Sequence, residues 1–303
     1  MIDRLPSVLD VTRLRVLAAV ARHGSVTEAA RVLGYAQPSV SHHLSRLEAE
    51  TGSRLIQRVG RGIRLTDAGR TLAERAEEIL GRLDAAEAEL AAYTGLRAGR
   101  VRLAAFPSAL GTFVPRAAAA FSAAHPAVEL RLVEAEPPHA VRLLRAGEVD
   151  VALLFTHPGQ PVERGDGLRR TRLLVEPIHL VTPMGTVGDR LVDHARRRWI
   201  TGCERCRTHL IRSCAMEGFV PEVAFTTDDY VAVQALVAAG LGVTTLPGLA
   251  LAAQHNAAVR TVRLPDQERL VDAAVHGAAP DPPATAALLG ELVRAAATAL
   301  PQP

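Results

Sequence analysis

Three thiols and an imidazole stand within twelve residues of "TGCERCRTHLIRSC": Cys203, Cys206, His209 and Cys214. Thiolate and imidazole are the ligands that tetrahedral zinc takes, so four such groups could close a metal site. Only Cys203-x-x-Cys206 has ordinary zinc spacing, and the other two ligands are too local for a standard finger. The pair also opens a helix-like run beside Arg205 and Arg207, a setting that lowers a thiol's pKa and raises its reactivity. A third reading makes these residues small structural or ligand-lining side chains. The residues alone leave all three readings open. Redox chemistry would fall on Cys203, Cys206 and Cys214, and no resident metal or cofactor is expected.

A second polar constellation lies in "SVTEAARVLGYAQPSVSHHLSRLE", Ser25 to Glu48. Val40, Leu44 and Leu47 recur at i, i+4 and i+7, one face of a helix. At about 100° per residue, Pro38, His42, Ser45 and Arg46 point the opposite way, with Ser39 and Ser41 on the flanks. Hydroxyl, amide, imidazole and guanidinium groups are what read base edges in a major groove. Gln37, Pro38, Ser39, Ser41, His42 and Arg46 are the candidate DNA contacts, with Thr27 at the start of the preceding helix. Downstream, Leu55-Ile56 and Ile63–Leu65 flank "RVGRG", a hairpin-like tip. Arg58, Arg61 and Arg64 there would hold phosphates or probe a minor groove. A third candidate is Ser108 in "AAFPSALG": a hydroxyl at the end of a strand and the opening of a helix can hold a carboxylate or another small anion. The plainer reading makes it a turn residue.

These groups need elements to hold them. Ser25 with Glu28 has capping-box spacing, Gly34 suits a left-handed helix end, and Pro38 suits a first turn. Leu14, Leu17 and Val20 supply a preceding helix with a matching stripe. Three short helices with a glycine turn before the last describe a helix-turn-helix. From Thr66, an N-cap followed by Asp67, the pattern is helical to about Gly95. Leu72, Ala76, Ile79, Leu83, Ala86, Leu90 and Tyr93 are spaced as a heptad seam, which asks for a partner helix. A second copy of the chain is the simplest partner, and a homodimer presents two recognition helices to a two-fold symmetric operator.

Past "GLRAGR" (Gly95–Arg100), a short hinge, strand-like and helix-like runs alternate. Strands are expected at Val101–Phe106, Val128–Glu134, Val149–Phe155, Ile178–Val181, Trp199–Ile200, Val223–Thr226 and Gly242–Leu246. Helices are expected at Val114–Ala124, Ala140–Ala146, Arg205–Glu217, Asp229–Ala239 and Pro283–Leu300. Such alternation predicts parallel sheets covered by helices, with ligands beyond the carboxyl ends of strands.

Composition bounds the function. A chain of 303 residues suits two or three modules. Residues 1–66 carry ten Arg against five acids, a charge of +5, and the remaining residues carry 25 against 27, so −2. A basic head on a near-neutral body suggests a polyanion partner for the head. All 35 basic residues are arginine, so every cation can fork onto phosphate or guanine. Three cysteines cannot frame a secreted disulfide fold, and "MIDRLPSVLDVTRLRV" has no apolar signal core. The uncharged run Val231–Ala253 is broken by Gly240, Gly242, Pro247 and Gly248, which suits a buried helix then strand, with no membrane partner. A cytoplasmic protein is expected. The chain has no phosphate-binding glycine loop, nucleophile elbow or catalytic carboxylate pair, so no enzyme is expected, and "TTDDY" (Thr226–Tyr230) reads as a helix cap.

Residues 9 to about 96 resemble the N-terminal part of LysR-type transcriptional regulators. The resemblance rests on Gly24-Ser25, Ala29-Ala30, Gln37-Pro38-Ser39, Ser41, Leu47-Glu48, Leu65-Thr66 and Gly69. One departure is Leu55-Ile56-Gln57-Arg58, where the family usually has Leu-Phe before the wing arginine. "GEVDVALL", "GFVPEV" and "LVAAGLGVTTLP" extend the likeness, more loosely, over most of 100–303. The resemblance implies an α/β protein: an N-terminal winged helix-turn-helix (9–66, with the motif at about 26–45), a linker helix for dimerisation (67–96) and an effector-binding domain (101–303). That last part would hold two α/β subdomains similar to periplasmic binding proteins, I at 101–158 and 270–303 and II at 159–269. The chain would cross outward after Phe155 and return along Glu268–His276. The implied partners are double-stranded DNA, a small-molecule effector (an anion among the candidates) and further copies, up to a homotetramer. Ser108 would serve the effector, as would Thr201, Thr227 and, at the crossover, Phe155. Peroxide-sensing members of the family use cysteines in this general part of the second subdomain, which makes thiol-redox sensing the alternative to an effector.

Overall fold

The computed structural model describes residues 9–59, 62–93, 99–160 and 167–300. The chain divides into two compact units, Met1–Thr94 with Arg145–Glu148, and the remainder.

In the smaller unit, α1 (Val11–His23), α2 (Val26–Leu33) and α3 (Gln37–Thr51) precede an antiparallel hairpin of β1 (Ile56–Val59) and β2 (Gly62–Leu65), and α4 (Asp67–Tyr93) follows. α1 and α2 start where the sequence offers an acceptor, whereas α3 starts after Ala36 with no side-chain cap. The Asp10 carboxylate accepts from the Arg13 N–H at 3.0 Å, and Ser25 Oγ accepts from the Glu28 N–H at 3.4 Å. The return bond expected from Glu28 is not made. Its carboxylate is taken by Arg31, one turn on, with Nη2 to Oε1 at 2.6 Å, because an ionic partner outcompetes a backbone N–H. Gly34, at φ 69°, ends α2 in the left-handed region and sets the turn into α3. Leu14, Leu17, Val20, Ala29, Ala30, Val40, Leu44, Leu47 and Leu55 form the core, joined by Ala73 and Ala76 of α4.

The hairpin base is pinned by polar contacts. Glu48 Oε1 accepts from the N–H groups of Leu55 (2.8 Å) and Ile56 (3.2 Å). Thr66 Oγ1 donates to the Arg54 carbonyl (2.7 Å) and accepts from the Gly69 N–H (3.0 Å). A Cβ at Gly69 would sit 2.0 Å from the Leu55 carbonyl oxygen, so this approach admits only glycine. Along α4 the expected seam divides. Ala76 is fully buried in the unit's own core and Leu72 packs against it, whereas Ile79 and Leu83 are 37% and 39% exposed. The first turns of α4 are therefore core, and only the later positions are left for a partner. The side chains of Leu90 and Tyr93 lie outside the described residues, as do Gly95–Ala98 of the expected hinge.

The larger unit runs β3 (Gly99–Ala105), α5 (Pro107–Leu110), α6 (Val114–Ala124), β4 (Val128–Glu134), α7 (Pro137–Arg145), β5 (Val151–Thr156), β6 (Leu168–Pro183), a 3-10 turn (Leu191–His194), β7 (Arg198–Thr201), α8 (Glu204–Met216), β8 (Glu222–Thr226), α9 (Tyr230–Ala238), β9 (Thr244–Pro247), α10 (Gly248–Ala253), β10 (Val259–His276) and α11 (Pro283–Ala296). Six strands form one sheet in the order β4-β3-β5-β10-β6-β9. β7 and β8 pair in parallel beside it, and a bridge from Trp199 to Val243 reaches β9.

The parallel expectation is correct for β3 with β4 and β5 and for β7 with β8. β10 runs antiparallel to both β5 and β6, because both long strands pass between the halves of the unit in opposite directions. The short strand expected at Ile178–Val181 is 16 residues long, since the polar "LRRTR" that precedes it pairs fully with β10. The return strand starts at Val259 rather than Glu268, and the last helix ends at Ala296 rather than Leu300. The uncharged run Val231–Ala253 becomes α9, β9 and α10, and among the described residues no helix is long and apolar enough to cross a membrane. One apolar cluster holds Leu103, Phe106, Phe113, Phe121, Phe155 and Leu292, and another holds Ile178, Leu180, Trp199, Leu210, Cys214 and Val243. Trp199, the single tryptophan, is 0% exposed.

Candidate functional site

Two sites can be built from the residues upward. The first is the outward face of α3. Val40, Leu44 and Leu47 point into the core, so Gln37, Pro38, Ser39, His42 and Arg46 are exposed on the opposite side and Ser41 is half-buried. Thr27, at the start of α2, is exposed too. Gln37 donates to Ser41 Oγ at 3.4 Å, and Ser45 Oγ to the Ser41 carbonyl at 3.0 Å. Tyr35, in the turn, stacks on His43 with ring centroids 5.9 Å apart. Arg46 and Arg64 are exposed and form no ion pair among the described residues. Arg58 stands in β1 with its side chain outside the described residues, and Arg61 lies outside them altogether. This face offers exposed donors, joined only to one another within α3, and cations with no ion-pair partner among the described residues, which is what a polyanion requires.

The second site is buried in the larger unit and centres on a residue the sequence reading missed. Arg269, on β10, is 1% exposed. Its Nε donates to Glu176 Oε1 of β6 at 2.6 Å, and its Nη2 donates to Ser108 Oγ at 2.8 Å. The guanidinium lies over two phenyl rings, 4.9 Å from the Phe106 centroid and 4.3 Å from that of Phe155. Glu176 Oε2 in turn accepts from the Leu249 N–H of α10 at 2.7 Å. Tyr230 opens α9, and burial pushes its phenol up, with Arg269 and Ser108 opposing. Burial also raises the Glu176 carboxyl, with Arg269 opposing, and raises Glu136, with the Cys203 thiol opposing. Nothing local marks this cluster: Glu176 stands alone in "LLVEPIHLV", but Arg269 sits between Glu268 and Asp272 in "ERLVDAAVH".

Of the four expected effector residues, Ser108 and Phe155 come together through Arg269 and are 0% and 1% exposed. Thr201 spends its hydroxyl across β7 and β8, 3.1 Å from Thr226 Oγ1. Thr227 Oγ1 accepts from the Asp229 N–H at 3.3 Å, and Asp229 caps α9. The cysteine cluster resolves differently from its spacing. Cys203 precedes α8 and Cys206 lies in its first turn, with their sulfurs 3.2 Å apart. Cys214 belongs to the Trp199 cluster instead. His209 faces Gln267 at 3.2 Å and stacks on His157 at 3.9 Å, so the four-ligand metal arrangement is not formed. Burial, with His209 and Arg269 adding to it, pushes His157 down to about 2. His209 is lowered by burial as well.

Comparison with known proteins joins the two sites. Residues 11–70 match the bacterial regulatory helix-turn-helix protein, lysR family, and residues 94–297 match the LysR substrate binding domain. The chain belongs to the LysR family of transcriptional regulators. It is 30% identical over 268 residues to the uncharacterised helix-turn-helix-type transcriptional regulator YcgK of Bacillus subtilis, covering 80% of this chain and 81% of that protein. Among solved structures, CbnR, a LysR family transcriptional regulator, gives a TM-score of 0.63 at 23% identity, covering 95% of this chain and 99% of that one. A variant of full-length OxyR from Pseudomonas aeruginosa gives 0.67 at 19% identity over 96% of each chain. At these identities the two structures establish a shared fold.

Proposed function

We propose that this LysR-type regulator reads a two-fold operator with α3 of each subunit and that a small-molecule effector, held at Ser108, controls its binding or the geometry of the promoter. The observation that carries the DNA reading is the outward face of α3, which exposes Gln37, Ser39, His42 and Arg46 to solvent, with Arg46 in no ion pair among the described residues. Thr27, Gln37, Pro38, Ser39, Ser41, His42 and Arg46 read bases, and Arg58, Arg61 and Arg64 hold phosphates. The division of labour is 9–66 for DNA, 67–96 for pairing and 101–303 for the effector. Exposed Ile79 and Leu83 support pairing of α4 with a second copy, which further association makes a tetramer in the cytoplasm.

The buried Arg269 and the Ser108 hydroxyl it holds support an anionic effector. An anion entering there takes Ser108 from Arg269 and shifts the population between two arrangements of the halves, limited by its differential affinity for them. Phe155 lines the site, and Thr201 and Thr227 border it at strand ends. Thiol-redox sensing is the alternative, supported by the contact between Cys203 and Cys206.

Mobility-shift titration of the full chain against the DNA upstream of its own gene tests the main reading. A complex that weakens steeply with salt is expected. No complex in dilute buffer overturns it.

A further inference from the structure

Cys203 and Cys206 are placed on one face by the first turn of α8, and the Cys203 thiol donates to Cys206 Sγ across 3.2 Å. A disulfide needs about 2.05 Å, a difference that rotation of the two side chains can supply. Both residues are half-buried and pack against the cluster that contains Phe106 and Phe155. The Glu136 carboxyl acts on Cys203 and Cys206, and the Arg269 charge acts on Cys206. The pair is therefore polarised. The hydrogen bond from Cys203 and then Arg269 lower the Cys206 thiol against burial, while that same bond and burial raise Cys203. Cys214 differs in every respect: it is 0% exposed, packs beside Trp199 and Leu210, and burial pushes its thiol up to about 12.

We infer that Cys203 and Cys206 form a reversible dithiol–disulfide couple, oxidised by exchange with a small-molecule disulfide, in which Cys214 takes no part. The Cys206 thiolate attacks one sulfur of the oxidant; a mixed disulfide forms, and the oxidant's own S–S bond breaks to release one thiolate. Cys203 then loses its proton to water and attacks Cys206 Sγ, expelling the second thiolate. Two protein thiols lose two electrons, and one oxidant disulfide becomes two thiols. Closure takes a negative charge away from Arg269, the residue that holds Ser108. The couple stands whether or not an effector binds there.

The test equilibrates the full chain with reduced and oxidised glutathione over a range of potentials, quenches in acid, alkylates and weighs it. Alkylatable thiols are expected to fall together from three to one, and to return with dithiothreitol. Trypsin cuts after Arg205, so the peptides carrying Cys203 and Cys206 should emerge joined. Cys214→Ser should behave as the parent, and Cys203→Ser should keep a single glutathione on Cys206. Three alkylated thiols at every potential, a bond involving Cys214, or an adduct on Cys206 that never resolves in the parent chain would each overturn the inference.

Discussion

The candidate sites of the two units use one cation for opposite purposes. In the smaller, Arg46 and Arg64 are exposed and unpaired among the described residues. In the larger, Arg102, Arg172, Arg260 and Arg294 each hold a carboxylate, and Arg269 is enclosed by Glu176, Ser108 and two phenyl rings. A planar, permanently charged fork serves both purposes. A site built for a partner leaves its polar groups open at the surface, whereas a site built inside must satisfy them from the chain itself.

The largest expected effect lies at the enclosed cation. Arg269→Met strands the buried Glu176 carboxylate and should cost about 3–5 kcal/mol in urea unfolding, and adding Glu176→Leu should recover most of it. A single variant as stable as the parent would erase the contrast between the units. Gly69→Ala drives a methyl into the Leu55 carbonyl and should fall toward the upper end of the roughly 1–3 kcal/mol seen for overpacking. Thermal unfolding of the full chain measures it. Arg46→Ala should weaken operator binding by about 1–3 kcal/mol and random DNA far less, read by fluorescence anisotropy. Equal losses on both would make Arg46 a phosphate contact.

Acidification sharpens the same contrast. His157 binds a proton only near pH 2 when folded but near the ordinary imidazole value of 6.5 when unfolded. The unfolded chain therefore takes up more protons in that window. Stability is fully present above about pH 6.5 and declines as the pH falls, by at most about 1.4 kcal/mol per pH unit from this group. Urea midpoints at pH 7.5 and 5.5 should differ less in His157→Phe than in the parent. The smallest effect is Ser108→Ala, which removes one acceptor from Arg269 and should cost about 1 kcal/mol. Operator affinity should stay unchanged while any effector response is blunted.

Legibility in the sequence followed the same division. Ser25, Gly34 and Pro38 act within one or two helical turns, so residue type and spacing alone locate α2 and α3. Glu28 misled because two donors, the Ser25 N–H and the Arg31 guanidinium, compete for its carboxylate at that range and Arg31 won. The long strands were harder. Half of β6 is polar, and its order comes from pairing with residues about a hundred positions away. Arg269 was invisible for a related reason: Glu176 and Ser108 are 93 and 161 positions distant, and no local pattern marks a charge that will be neutralised by folding. Ser108 was named from its place at a strand end and Phe155 by resemblance, without the group that joins them. Cys214 looked equivalent to its neighbours because spacing on one helix does not show which cluster each face enters.

Trp199 gives the larger unit an internal reporter. It is the only indole in the chain, it is sealed against Phe219 at a ring separation of 6.0 Å, and its N–H finds no acceptor among the described residues. Red-edge excitation therefore selects emission from the β7 half of that unit alone, in a blue-shifted band. Loosening of that half would register as a shift to longer wavelength, while events confined to α1–α4 stay dark.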